Sequence, residues 1–298
     1  MRRSFIVLFA FALAMLLAAC GGAPAAQAPT SPPVSTGATS EITRPIPTDV
    51  PVVAPTETAL SGQLIVFAAA SLTDAFEAVA TAFAAENPGV EVVYNFANSQ
   101  QLATQIGEGA PADVFASANI AQMNAALAST RVISGSERTF VRNRLVVITP
   151  ADNPAAIAML QDLARPGVKL ILADAVVPVG QYSLEFLAKA SLLPEYTENF
   201  SPTVLANVVS FENTVRSVLT KIVLGEGDAG IVYSTDAALD ADSVLQITIP
   251  DELNAIANYP IAPLADSANP ALAQAFVDYV LAPEGQQILE QYGFIVNP

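Results

Sequence analysis

Between Leu64 and Ala118 the chain twice runs a short apolar stretch into a small polar turn, then into a helical pattern that opens at a serine. The first stretch, 64–70, closes at Ser71 and gives way to apolar residues at helical spacing over 72–86. The second, 90–96, closes at Asn98-Ser99 and leads into a helix over 99–107. The same alternation continues along the chain. It predicts further strands at 112–117, 145–149 (behind the polar Arg142-Asn143-Arg144), 169–173, 229–233 and 245–249, with an extended piece at 258–263. Helices are expected at 119–127, 157–164, 180–190, 215–224 and 270–281. Such alternation predicts an α/β fold with a mostly parallel sheet. Gly107-Glu108-Gly109 and Gly225-Glu226-Gly227 follow helices, as C-caps do, and lack the pattern of a phosphate loop.

The serine junctions carry candidate chemistry. A helix N-terminus presents unpaired N–H groups and a partial positive charge. A serine there adds a hydroxyl, so two such ends brought together hold an anion without a charged side chain. Ser71 and Ser99 are the first candidates; plain helix capping is the alternative role for both. Pro178-Val179-Gly180 and Glu212-Asn213-Thr214-Val215 form two more strand-to-helix junctions, and Tyr233 offers a phenol at a strand end.

Composition narrows the classes. The 298 residues are 52% hydrophobic and 13% charged, enough for a large buried core. A net charge of −16 disfavours nucleic acid, which needs cations against its phosphates. The same charge is weak against a small anion, because far fields are screened beyond about 8–10 Å at physiological salt. The chain has no histidine and one cysteine, so His-based acid–base catalysis, Ser-His-Asp triads and His/Cys zinc sites are excluded. Ser71 is followed by Leu-Thr-Asp and lacks the lysine of a Ser-x-x-Lys nucleophile. No enzyme activity and no cofactor are expected.

The N-terminus reads as a leader. Arg2-Arg3 precedes an apolar run over 5–17, too short to cross ~30 Å of hydrocarbon. It ends in Leu17-Ala18-Ala19-Cys20-Gly21, which resembles a bacterial lipobox. The expected organisation is a signal peptide at 1–19, a lipid anchor on Cys20 and a flexible linker through residue 61. Eight of the 22 prolines fall in 21–61. Stretched out, about 40 residues at roughly 3.1 Å each reach on the order of 120 Å, so the folded part sits on a tether at the outer membrane face.

Three blocks point further: Val66-Phe67-Ala68-Ala69-Ala70-Ser71-Leu72, Gly109-Ala110-Pro111-Ala112-Asp113-Val114-Phe115-Ala116-Ser117-Ala118, and Gly227-Asp228-Ala229-Gly230-Ile231-Val232-Tyr233. Together with the ending Gln291-Tyr292-Gly293-Phe294, and in this order, they resemble the solute-binding proteins of bacterial molybdate ABC transporters over about 64–294. The resemblance implies a two-lobed periplasmic-binding-protein fold of type II, with the ligand in the interlobe cleft. It implies lobe 1 over 62–142, lobe 2 over 143–249 and a return to lobe 1 over 250–298. It also implies the ligand set: hydroxyl and N–H of Ser71 and Ser99, N–H of Val179 and Val215, and the hydroxyl of Tyr233. Molybdate or tungstate would be held by these donors with no direct protein–metal bond. An ABC permease is the implied partner and the receptor is expected to be monomeric. Asn98 and Val179 depart from the family, where serine and alanine are common.

Several neighbours are read as structural. Asp113 is expected outside the site, because a carboxylate repels an oxyanion. Arg216 is expected to pair with Glu212, and Asp228, Asp236 and Asp240 to be solvated. With no titrating ligand, affinity is expected to be flat from about pH 6 to 8.5. Alternatives are a sulfate or phosphate receptor, a hydrolase using Ser71, and a tethered adhesion or scaffold domain.

Overall fold

Along β1 (Ser61–Ala69) the side chains alternate between two cores: Leu64, Val66 and Ala68 enter one and Phe67 the other. A strand apolar on both faces belongs inside a sheet covered on both sides. The computed structural model describes residues 59–296 and places it so. The expected signal peptide, the anchor at Cys20 and nearly all of the expected linker lie outside the described residues.

The first sheet contains β1, β2 (Gly89–Ala97), β3 (Val114–Ala116), β4 (Arg138–Asn143), β10 (Ala257–Pro263) and β11 (Ile295–Val296). Its order is β11-β4-β10-β3-β1-β2. The second holds β5 (Leu145–Pro150), β6 (Leu170–Ala173), β7 (Val208–Glu212), β8 (Ala229–Tyr233) and β9 (Val244–Thr248), in the order β7-β6-β8-β5-β9. The helices are α1 (Thr73–Glu86), α2 (Ser99–Gly107), α3 (Ile120–Ala128), α4 (Pro178–Ala190), α5 (Phe200–Ala206), α6 (Val215–Val223), α7 (Ser234–Leu239), α8 (Pro270–Leu281) and α9 (Pro283–Gln291). Helices α1, α8 and α9 pack together, with Phe76 and Phe83 meeting Phe276 edge-on at ring separations of 6.2 and 5.4 Å. Leu102 and Ile106 of α2 and Met123 of α3 fill the other core with Phe67 and Phe115.

The sheets are mixed rather than mostly parallel. β1 pairs in parallel with β2 and β3, and β6 with β7 and β8. The remaining pairs are antiparallel, including β10 with β3 and β4 and β5 with β8 and β9. The strands that carry the chain between the sheets cause this. Only Arg144 separates β4 from β5, and the return passes from β9 to β10. Two buried amides stitch these crossovers. Asn143 donates to the Thr235 hydroxyl (2.8 Å) and accepts from Arg144 N–H (2.9 Å). Asn254 both accepts from Leu145 N–H (3.0 Å) and donates to Leu145 C=O (2.9 Å). Two sheets joined by two short crossovers make two lobes.

The expected helix at 157–164 is only a 3₁₀ turn, Leu160–Ala164. The Asp162 carboxylate folds back onto the N–H groups of Ala158 and Met159 (2.8 and 3.1 Å), and Pro166 follows after Arg165. Strand β4 and helices α5, α7 and α9 were not expected from the hydrophobic pattern.

Candidate interlobe site

Each lobe sends helix N-termini to one cavity. From the first come the 3₁₀ turn Ala70–Leu72, after β1, and α2, after β2. From the second come α4, after β6, and α6, after β7. All four follow the carboxyl end of a strand, where open α/β sheets bind ligands. The side chains of Asn98 and Thr214 cap α2 and α6, accepting from Gln101 N–H (2.8 Å) and Ser217 N–H (3.0 Å). The first N–H groups of these helices stay free of the caps. Helix α4 has Pro178 in its first turn and no side-chain cap, so its orphan N–H groups begin at Val179.

Gly180 sets how close α4 comes to β6. A Cβ on Gly180 would lie 2.1 Å from the carbonyl oxygen of Asp174 and 2.6 Å from that of Ala173. Only glycine lets this helix start against the strand end.

The cavity is lined by Ser71, Asn98, Ser99, Val179, Val215 and Tyr233 among others, so all five residues named for the ligand meet there. Its water-accessible core is about 20 Å³, room for a water or two. Among the described residues no charged side chain lines it. Neither serine acts as a side-chain cap. Ser71 Oγ lies 2.9 Å from Tyr259 Oη, and Ser99 Oγ accepts from Ala118 N–H (2.9 Å). Ser99 accepts there and so keeps its hydrogen to donate, and Ser71 keeps its own when Tyr259 is the donor. Among the described residues the Tyr233 hydroxyl is buried beside that of Tyr259 without a well-formed hydrogen bond, and burial together with Tyr259 pushes its titration far above neutrality. It is a protonated donor facing the cavity. Tyr259, also raised by burial, stays protonated and is no base for Ser71.

Asp113 lies away from the cavity. Its carboxylate accepts from Ile65 N–H (2.7 Å), Ser267 Oγ–H (2.6 Å) and Ala268 N–H (3.0 Å), tying β1 to the segment before α8. Two expectations fail. Arg216 pairs not with Glu212 but with Asp74 and Asp236, each at 2.6 Å. Glu212 instead meets Lys221 at 2.7 Å. Asp236 is fully buried, not solvated, because α7 turns it inward beneath Arg216. Asp228 and Asp240 are half-buried, and Asp228 accepts from Lys169 N–H (2.7 Å).

Sequence reasoning missed Tyr259 and the bonds that cross the cleft. Asn98 Nδ2 donates to Asn213 C=O (2.9 Å), and Asn119 Nδ2 to Gln181 Oε1 (3.2 Å). These pairs are 115 and 62 residues apart, and nothing local marks them.

A two-lobed α/β fold with converging helix N-termini defines a solute receptor. The chain belongs to the bacterial extracellular solute-binding protein family, whose profile matches residues 64–295. It is similar to the molybdate-binding protein ModA of Mycobacterium tuberculosis, 39% identical over 240 residues, which covers 80% of this chain and 86% of that protein. ModA of Escherichia coli is 32% identical over 242 residues, 79% of this chain and 90% of that protein. Among solved structures, the sulfate-binding protein SubI of M. tuberculosis shares the fold with a TM-score of 0.72 at 22% identity, covering 79% of this chain and 88% of that one.

Proposed function

We propose that this protein captures molybdate, with tungstate as a second ligand, and delivers it to an ABC permease. The observation that carries the reading is the meeting of four helix N-termini and the buried Tyr233 hydroxyl on one cavity without a charged side chain among the described residues. Such a site suits a doubly charged tetrahedral anion. The donors supply a positive potential through fixed dipoles, and no counter-charge has to be desolvated. Ser71 and Ser99 donate hydroxyls and N–H groups from one lobe, Val179 and Val215 N–H groups and Tyr233 its hydroxyl from the other. The ligand is bound through its oxygens and no chemistry is done on it. The relatives named as molybdate-binding support this ligand over sulfate.

The lobes in this reading are 62–142 with 250–298, and 143–249. The receptor acts as a monomer outside the cytoplasm, tethered by lipid on Cys20 and the linker to residue 61. Cys20→Ser releases it from the membrane fraction; a variant that stays membrane-bound contradicts the anchor. Calorimetric titration with molybdate, tungstate, sulfate and phosphate tests the ligand. Molybdate and tungstate should bind far more tightly than the other two, and equal affinity for sulfate overturns the assignment.

A further inference from the structure

We propose that Arg216 is the clasp that keeps the two lobes shut over the bound anion: anchored on Asp236 inside its own lobe, it reaches across the cleft to Asp74. The inference rests on the ligand reading above and adds a positioning residue to it. Arg216 does not line the cavity and donates nothing to the ligand.

Its placement needs a reason. Arg216 lies in the first turn of α6, where a cation opposes the helix dipole and no acidic residue of that turn offsets it. The two carboxylates compensate, but they differ. Asp236 belongs to the same lobe and is fully buried, so it holds the guanidinium in place whatever the lobes do. Asp74 belongs to α1 of the other lobe, and its side chain is 40% exposed. Of these two carboxylate bonds, opening the cleft breaks only the one to Asp74 and returns that carboxylate to water.

The geometry ties this bond to the ligand donors. Arg216 follows Val215 directly, and Asp74 lies one turn after Ser71. Ser71, Asp74 and Arg216 border a small cavity adjoining the ligand cavity. Closing Asp74 onto Arg216 therefore sets a donor of one lobe beside a donor of the other. The Asn98–Asn213 and Asn119–Gln181 bonds also cross the cleft, but both are neutral. The charge-assisted bond at 2.6 Å, with its arginine already immobilised, is the strongest of the three.

A double-mutant cycle on the protein decides this, read by molybdate affinity, by molybdate dissociation rate and by small-angle scattering. Asp74→Asn should speed dissociation and weaken affinity about 3- to 10-fold, with little change in association or in ligand-free melting. Arg216→Lys keeps a cation on Asp236 and loses the reach to Asp74, so it should cost a similar factor. The double variant should be no worse than the worse single one. Unchanged dissociation in Asp74→Asn, or losses that multiply in the double variant, overturns the clasp. If the unaltered protein binds no molybdate, the ligand reading fails instead. The radius of gyration then decides the clasp: Asp74→Asn should be larger than the unaltered protein, and an equal value overturns it.

Discussion

The Tyr233 hydroxyl is buried beside Tyr259 and, among the described residues, makes no well-formed hydrogen bond, so an anion in the cavity would give it a partner. Tyr233→Phe should therefore weaken molybdate binding roughly 10- to 100-fold, the worth of a hydrogen bond to a charged group. Its melting temperature without ligand should be unchanged or higher, which thermal denaturation and titration of one sample can show. A loss of fold together with binding would mean that the hydroxyl is structural. Ser99 differs, because its oxygen also satisfies Ala118 N–H. Ser99→Ala should lose affinity by a similar factor and, with that buried N–H left unpaired, about 1–3 kcal/mol of stability in denaturant unfolding.

At the scale of elements, helix placement is what makes neutral groups into an anion site. Gly180→Ala should push the start of α4 off β6, because the new Cβ would strike the Asp174 carbonyl at 2.1 Å. We expect roughly 1–3 kcal/mol of destabilisation and a larger fractional loss of binding, since Val179 moves with the turn. Gly225, at φ +71° just past α6, closes that helix with Glu226 N–H bonding back to Lys221 C=O (2.9 Å). This ending was legible in the sequence, as were the spans of α2 and α8, whose bounds the apolar spacing marks. The 3₁₀ turn at Leu160–Ala164 was not, because Asp162 competes for the backbone that a helix would use. Strand direction was also illegible: alternation of strands and helices says nothing of a chain that leaves one sheet and later re-enters it.

The whole molecule carries a charge feature that sequence spacing hides. Asp74, Arg216 and Asp236 come together from positions up to 162 residues apart, and only folding buries Asp236. The residues that line the cavity were legible because each lies at a recognisable strand-to-helix junction or strand end. The cluster behind them has no such mark. Burial pushes Asp236 up to about 7, against the pull of Arg216. The groups facing it are Arg216 from α6, Asp74 from α1, Tyr233 from β8 and Tyr259 from β10, and both tyrosines stay protonated.

Two consequences follow for pH. In the unfolded chain Asp236 loses its proton near 4, but in the folded protein only near 7. Its contribution to stability is thus present below about pH 4 and lost as pH rises through 7. Asp236→Asn should flatten that decline in melting temperature between pH 4 and 7. Glu212 acts lower on the scale: burial raises its carboxyl, but Lys221 and Ser210 outweigh this and hold it below the usual range. Its contribution is therefore lost only as pH falls below about 4.5.

The central claim is that molybdate sits in the interlobe cavity on neutral donors. Anomalous diffraction at the molybdenum edge from crystals grown with molybdate tests it most directly. One strong peak should lie in the cavity, with oxygens in hydrogen-bond range of Ser71, Ser99, Val179, Val215 and Tyr233. A peak elsewhere, or a lysine, arginine or carboxylate in contact with the anion, would contradict the account.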